Sequence, residues 1–277
     1  MTLFEGIILG LVQGLAEFLP ISSSGHLAIL QYFFNIDGEK ILSFAVLLHL
    51  GTLLSLFAVY YRDIWDLLLE LGAVIRDVFS GKGLRINANE TRKLGFMIIV
   101  ATIPTAIIGI ILNDFFSSLY NSLSAIAICL LITGTILWIA ERLPQAGKDM
   151  GRMKYRDAIL VGIFQSIAIS PGISRSGATI VGGLFSGLNR DLAVKFAFLI
   201  SIPSILGAVI LEAPDAFAEG IDSALFVPVA TGVLVAALSG FVAIKTMIRV
   251  VTGKKLYIFS FYTWAVGALV LAYTLFL

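Results

Sequence analysis

Two short polar clusters carry the side chains best suited to chemistry in this chain. The first holds Gln13, Glu17, Ser22, Ser23, Ser24, Gly25 and His26, and the second holds Ser174, Arg175, Ser176, Gly177 and Thr179. Glu17 is the only charged residue between Glu5 and Asp37, and Arg175 the only one between Asp157 and Arg190. An ionisable group in a long apolar stretch is costly and marks a functional site by default. Gln13 and Glu17 are four residues apart, so a helix projects both from one face. After Pro20 and Pro171 the Ser/Gly runs offer hydroxyls and successive backbone N–H groups at a helix start. Such turns cradle anions, helped by the positive end of the following helix. Two of them facing each other across one arginine fork suit a phosphate or diphosphate.

Phosphoryl transfer is mainly positioning and charge stabilisation, so one nucleophile and one proton carrier suffice. Ser23 is the expected nucleophile, His26 its base or proton donor, and Glu17 the group that orients His26 or a metal. A phosphorylated His26 and direct attack by water are alternatives. Ser22, Ser24, Gly25, Ser174, Arg175, Ser176, Gly177 and Thr179 are expected to hold the diphosphate. Arg175 alone is a thin clamp, which calls for a divalent cation bridging phosphate oxygens to Glu17, with Gln13 as a second, neutral oxygen. Hard oxygen ligands select Mg²⁺ or Ca²⁺ rather than zinc. Plainer readings compete. Ser and Gly in apolar helices often serve only close packing, and Glu17 with Arg175 could be a structural ion pair. His49, in mid-span, is expected to be a hydrogen-bonded interior residue. Phe and Tyr near span ends read as interfacial anchors, and Asp63, Asp66, Glu70 and Asp77 as a solvated amphipathic face.

The elements that position these clusters follow from composition. Of 277 residues 58% are hydrophobic and 13% charged, where a soluble domain carries roughly a quarter charged. The excess apolar surface must meet lipid. The lone cysteine, Cys129, allows neither a disulfide framework nor a thiolate zinc site. A net charge of +1 offers no footprint for nucleic acid.

Six stretches, free of acid and base but for Lys195, approach the ~20 residues that a membrane-crossing helix needs: 41–61, 94–112, 123–140, 192–211, 225–244 and 256–276. Two more, 2–31 and 158–188, are long enough but broken by Pro, Gly and Ser. The first of these has no basic leader region and is expected to be retained rather than cleaved as a signal peptide. Segments 62–93, 142–156 and 245–255 hold 6, 5 and 4 Lys or Arg, together 15 of the 19. Segments 113–121 and 212–224 hold none. The positive-inside rule puts the three basic segments in the cytoplasm. The path consistent with this has both broken stretches re-entering on the side they came from, and both chain ends outside.

Shifting the chain by 152 residues (Gly162 on Gly10) matches 7 of 17 positions: Gly10/Gly162, Gln13/Gln165, Ala16/Ala168, Ile21/Ile173, Ser22/Ser174, Ser24/Ser176 and Gly25/Gly177. Each half reads as one re-entrant segment and three spans, and because three is odd the second half must be upside down. The expected fold is an all-α integral membrane protein in one domain over 1–277, with repeat one at 1–145 and repeat two at 153–277. It has inverted topology, about six transmembrane helices and two re-entrant helical hairpins.

The runs Gln13-Gly14-Leu15-Ala16-Glu17-Phe18-Leu19-Pro20-Ile21-Ser22-Ser23-Ser24-Gly25-His26 and Pro171-Gly172-Ile173-Ser174-Arg175-Ser176-Gly177-Ala178-Thr179 resemble those of the bacitracin-resistance type of undecaprenyl-diphosphatase. The resemblance covers essentially the whole chain. It implies a plasma-membrane hydrolase that converts undecaprenyl diphosphate, a polyprenyl diphosphate lipid, to undecaprenyl phosphate, recycling the carrier for cell-wall polymer synthesis and conferring bacitracin resistance. It also implies a site open to the periplasmic side, with family roles falling on Glu17, Ser23, His26, Ser174, Arg175 and Thr179. The family pattern opens with Glu or Gln followed by Glu, here Gln13 and Glu17. A homodimer is compatible with this reading. The rival from another class is a secondary transporter or lipid flippase, which an inverted repeat suits equally well. A phosphatidic-acid type phosphatase would need a second histidine after its Ser-Arg motif, and residues 176–277 contain none.

Overall fold

The computed structural model describes residues 2–34, 38–144, 147–218 and 226–276, with side chains outside 34–43, 45 and 211–218. These residues form eleven helices: α1 (Leu3–Phe18), α2 (Ser23–Phe34), α3 (Gly38–Phe79), α4 (Glu90–Ile111), α5 (Asn113–Tyr120), α6 (Leu123–Glu141), α7 (Tyr155–Ile167), α8 (Arg175–Phe185), α9 (Arg190–Ala218), α10 (Phe226–Thr252) and α11 (Tyr257–Phe276). Five of them, α4, α6, α9, α10 and α11, contain stretches long and apolar enough to cross a membrane. The other expected span, 41–61, lies within α3, and some of its side chains fall outside the described residues. The side chains of the acidic segment 212–224 fall outside them as well. The stretch 113–121, read from sequence as a plain connection, is helical as α5.

The four helices of the broken stretches have only 16, 12, 13 and 11 residues, too short to cross singly. Each pair folds back on itself. Gly182 lies against Phe164, and the Ser186 hydroxyl reaches the Asp157 carbonyl at 3.4 Å, so α8 returns along α7 to its starting level. Leu9 and Val12 of α1 likewise pack with Leu27 and Leu30 of α2. The starts of α1 and α7 and of α2 and α8 are both 152 apart (155 − 3 and 175 − 23), matching the sequence repeat.

The halves are inverted. Equivalent helices α6 and α11 run antiparallel, with Ser124 bonded to Thr274 at 3.1 Å and Gly134 against Trp264. The equivalents α3 and α9 also run antiparallel, through Asp63 with Lys195 and Tyr60 with Phe198. A repeat axis along the membrane normal would leave such pairs parallel. The three basic segments share one end of the molecule. There Lys93 bonds to the Gly151 carbonyl at 2.7 Å, and Glu141 pairs with Arg190 and accepts the Leu256 amide at 2.8 and 2.6 Å. The α7–α8 hairpin opens at this basic end, where Lys148 bonds Asp157 and the Ser186 carbonyl. The α1–α2 hairpin opens at the opposite end, because α1 runs parallel to α10, whose last turn lies at the basic end.

Small residues permit this packing. Cβ atoms added to Gly6, Gly10 and Gly14 would fall 2.5, 2.3 and 2.5 Å from carbonyl oxygens of Pro228, Gly232 and Ala236. In repeat two Gly162, the counterpart of Gly10, would clash with the Ala101 carbonyl at 2.2 Å. Helices this close gain dispersion and backbone contact where lipid supplies no hydrophobic drive.

α3 has 42 residues and departs from helical geometry at Tyr60 (φ −106°, ψ 24°). Beyond that kink its polarity differs from the expected solvated face. Glu70 and Asp77 turn inward to Arg92 at 2.8 Å each, Arg92 being only 5% exposed, and Asn89 bonds Glu70 while capping α4. The physical reason is Arg92, whose buried guanidinium must find acceptors.

Two outcomes follow. Gly10→Ala and Gly162→Ala each place a methyl against an unyielding backbone carbonyl and should cost about 1–3 kcal/mol, read as a lower thermal midpoint in detergent. Gly72→Ala, with open space around it, should not lower it. Hydrogen bonds from Arg92 hold the carboxyls of Asp77 and Glu70 below their ordinary range. A depressed carboxyl stabilises the fold above its unfolded value and stops doing so as pH falls through its folded value. The thermal midpoint should therefore drop on acidification below about pH 4, and Asp77→Asn should flatten that drop.

Candidate active site

The two hairpins enter from opposite ends and their tips touch. Gly25 lies against Gly172, whose Cα is 2.9 Å from the position of an added Cβ, and Gly177 against Pro20 at 3.1 Å. By the 152-residue shift these are the same contact made twice. Gly172 sits at φ +95°, where L side chains are strained, and Ser22 at φ +71°. Ser22 is held there because its hydroxyl accepts the amides of Gly25 and of Gly172, at 3.2 and 3.1 Å.

Glu17, at the tip end of α1, is the centre of the polar network. Its side chain is 3% exposed. One carboxylate oxygen, Oε1, pairs with Arg175 Nη2 at 2.9 Å. The other, Oε2, accepts Ser23 Oγ at 2.8 Å and Gln13 Nε2 at 3.0 Å, and lies 3.7 Å from His49 Nε2. Four elements, α1, α2, α3 and α8, thus converge on one carboxylate. Arg175 and His49 keep 24% and 22% of their side chains exposed, so the network is reachable from outside the core.

His26 is placed otherwise than the sequence suggested. Its Nδ1 lies 2.8 Å from the Ser22 carbonyl, and since a carbonyl only accepts, Nδ1 carries the proton. Nε2 then accepts the Tyr262 hydroxyl at 2.9 Å, with the two rings stacked at 5.6 Å. The hydrogen-bond partner of Ser23 is Glu17.

The hydroxyls expected to hold diphosphate are largely engaged by the protein itself. Ser174 caps α8 through the Gly177 amide at 3.1 Å, and Ser176 bonds the Leu19 carbonyl at 3.2 Å across the repeat interface. Thr179 donates back to the Arg175 carbonyl at 2.8 Å, and Ser24 lies 3.3 Å from the Ser22 hydroxyl. What these caps leave for an anion are the first-turn amides of α2 and α8, at Ser23, Ser24, Arg175 and Ser176.

Two residues of this arrangement were not assigned to the site from the sequence, where His49 was read only as a hydrogen-bonded interior residue. His49 had one usable signal, an ionisable side chain in an apolar span. Tyr262 had none, because it lies 236 residues from His26 and reads as an interfacial anchor. Oxygens suited to a hard cation are the Glu17 carboxylate and Gln13 Oε1, which is buried without a hydrogen-bond partner. Among the described residues no three His, Cys, Asp or Glu side chains group to bind a metal. Toward the end opposite the basic segments, a cavity of about 620 Å³ lined by Gln31, Tyr32, Tyr120, Asn121 and Tyr273 opens beside α2.

The family model described as "Bacitracin resistance protein BacA" matches residues 6–269. A curated undecaprenyl-diphosphatase of Alkaliphilus metalliredigens (strain QYMF) is 51% identical over 275 residues, covering 99% of this chain and 100% of that protein. One of Carboxydothermus hydrogenoformans is 43% identical, covering 98% and 97%, and one of Halothermothrix orenii is 39% identical, covering 98% of each. Matched from Gly6 to Leu269, across both hairpin tips and the Glu17–Arg175 pair that joins them, the chain belongs to the bacitracin resistance protein BacA family.

Proposed function

We propose that this chain hydrolyses undecaprenyl diphosphate to undecaprenyl phosphate and inorganic phosphate, recycling the lipid carrier of cell-wall polymer synthesis. The observation that carries the reading is the Ser23 hydroxyl donating to a buried carboxylate that is also paired with Arg175. Supporting it are relatives named for that activity over essentially the full chain. Their names favour hydrolysis over the transporter or flippase reading.

The chemistry follows from charge competition. Without substrate Arg175 neutralises Glu17, and breaking such a buried pair outright costs about 3–5 kcal/mol. A diphosphate supplies replacement negative charge, so Arg175 can turn to it while the first-turn amides of α2 and α8 receive its oxygens. Glu17, released from its counter-charge, becomes a better base and takes the Ser23 proton. Ser23 Oγ then bonds the terminal phosphorus as the anhydride P–O bond breaks, and the lipid monophosphate leaves. Water cleaves the phosphoserine, its proton passing to His26 Nε2 when Tyr262 yields that position. His49 keeps Glu17 oriented throughout.

Glu17 and Gln13 Oε1, the latter buried without a hydrogen-bond partner, would hold a Mg²⁺ or Ca²⁺ ion. Such an ion would supply neutralising charge to the transferring phosphoryl group. The site is proposed to open outward, since the α1–α2 hairpin and the cavity beside α2 lie at the end opposite the basic segments. Positive-inside orientation makes that end periplasmic.

The test is phosphate release from undecaprenyl diphosphate by detergent-purified protein. Wild type should release phosphate with Mg²⁺ or Ca²⁺ and lose activity in chelator. Ser23→Ala and Arg175→Ala should each lose about a hundredfold or more. Ser22→Ala should chiefly lower the thermal midpoint, by a cap's worth of about 1 kcal/mol. No release by wild type rejects the enzyme, and full rates in Ser23→Ala reject the serine route. For orientation, a membrane-impermeant thiol reagent should label Asn121→Cys on intact cells. Labelling only after permeabilisation would reverse the topology.

A further inference from the structure

The second half of α3 is built inside out. Past the Tyr60 kink its inward face carries Glu70 and Asp77, bonded to Arg92, and Asp63, paired with Lys195. The outward face is apolar. Tyr61, Trp65, Leu68, Leu69, Ile75 and Phe79 are 58, 62, 55, 58, 49 and 88% exposed. Tyr61, Trp65, Leu68, Ile75 and Phe79 follow one another at three, four or seven residues, with Leu69 beside Leu68, and so make one stripe along the helix. At 1.5 Å per residue α3 is about 63 Å long, twice the ~30 Å of a bilayer's hydrocarbon core. The segment after Tyr60 is therefore surplus to crossing, yet it faces outward with side chains that water does not solvate well.

We propose that the α3 segment 61–79 is an interfacial helix, its apolar stripe set into the lipid of the leaflet at the basic end. Three observations select lipid as the occupant. The stripe continues, through the kink, the exposed Leu54 and Phe57 of the same helix, on the segment that crosses the membrane. Its first residues are Tyr and Trp, whose amphipathic rings settle at the headgroup level. Exposed Arg62 and Arg76 accompany the stripe and Lys82 follows just past the helix end, against one exposed acid, Asp66, a positive balance that anionic headgroups attract and that a second copy of this face would repel. The three inward acids spoil nothing, because Arg92, Arg85 and Lys195 pair with them within the protein. A further consequence is positional: Tyr60, at the hinge, packs on Phe198, which packs on Phe18 beside Glu17, at 6.1 and 5.7 Å.

The experiment uses the full chain in vesicles of phosphatidylcholine and phosphatidylglycerol. A nitroxide is placed at Leu69→Cys, and separately at Ile75→Cys, in a Cys129→Ser background. Both positions are surface exposed, so neither label disturbs the packing. Collision with oxygen, which concentrates in lipid, should exceed collision with a water-soluble nickel chelate by about threefold or more, as for a face sunk ~5–10 Å below the headgroups. Dominant access by the chelate would mean a solvated helix and overturn the proposal. Shielding from both reagents would mean a protein partner or second copy on the stripe, and would overturn it equally.

Discussion

One buried negative charge organises this molecule. A carboxylate taken out of water is tolerated only when paired and hydrogen-bonded. Glu17 meets that demand with Arg175, Ser23, Gln13 and His49, drawn from four helices. No pair of adjacent helices could supply that set. Arg175 must come from the opposite end of the protein, which requires a hairpin tip reaching inward from each side. The hairpins in turn require breaks where backbone groups find partners other than lipid. Ser22 and Ser174 provide them by capping, and Gly25 and Gly177 let the tips approach.

Much of this was legible in the residue order. Pro20 and Pro171 with their Ser/Gly runs announced the breaks. The 152-residue shift reappears in the helix starts, and the odd number of spans per half gave the inversion seen in the antiparallel α6–α11 pair. Local rules cover such features because the signal lies within a few residues. The partner of Ser23 was not legible. Sequence proximity favoured His26, three residues on, whereas the helix start carries Ser23 toward Glu17 and the His26 ring toward Tyr262. The inside-out half of α3 failed for a similar reason. Its acids looked solvated until Arg92, 22 and 15 positions beyond them, proved to be buried among them.

The repeat also separates scaffold from chemistry. Positions that match across the shift, such as Gly10/Gly162, Gly25/Gly177 and Ser22/Ser174, pack or cap in both halves. Positions that differ carry the groups of the polar network and its neighbour: Glu17 stands opposite Ile169, Ser23 opposite Arg175 and His26 opposite Ala178. Gln165, the counterpart of Gln13, bonds Thr105 and Ser204 at 3.1 and 2.9 Å in place of any carboxylate. One half contributes the buried carboxylate and the hydroxyl bonded to it and the other the cation, so neither half alone holds the whole network.

The contact of the hairpin tips has an electrical meaning as well. Gly25 on Gly172 and Pro20 on Gly177 bring backbone and ring atoms of the two tips together at the centre of the protein. On the basic side of that contact lies a dry core that includes Phe18, Met97, Ile180 and Met247. A polar network can thus sit deep in a membrane with an apolar core between it and the basic end. The tips insulate: between the buried Glu17 charge and the basic end stand apolar side chains rather than a polar path.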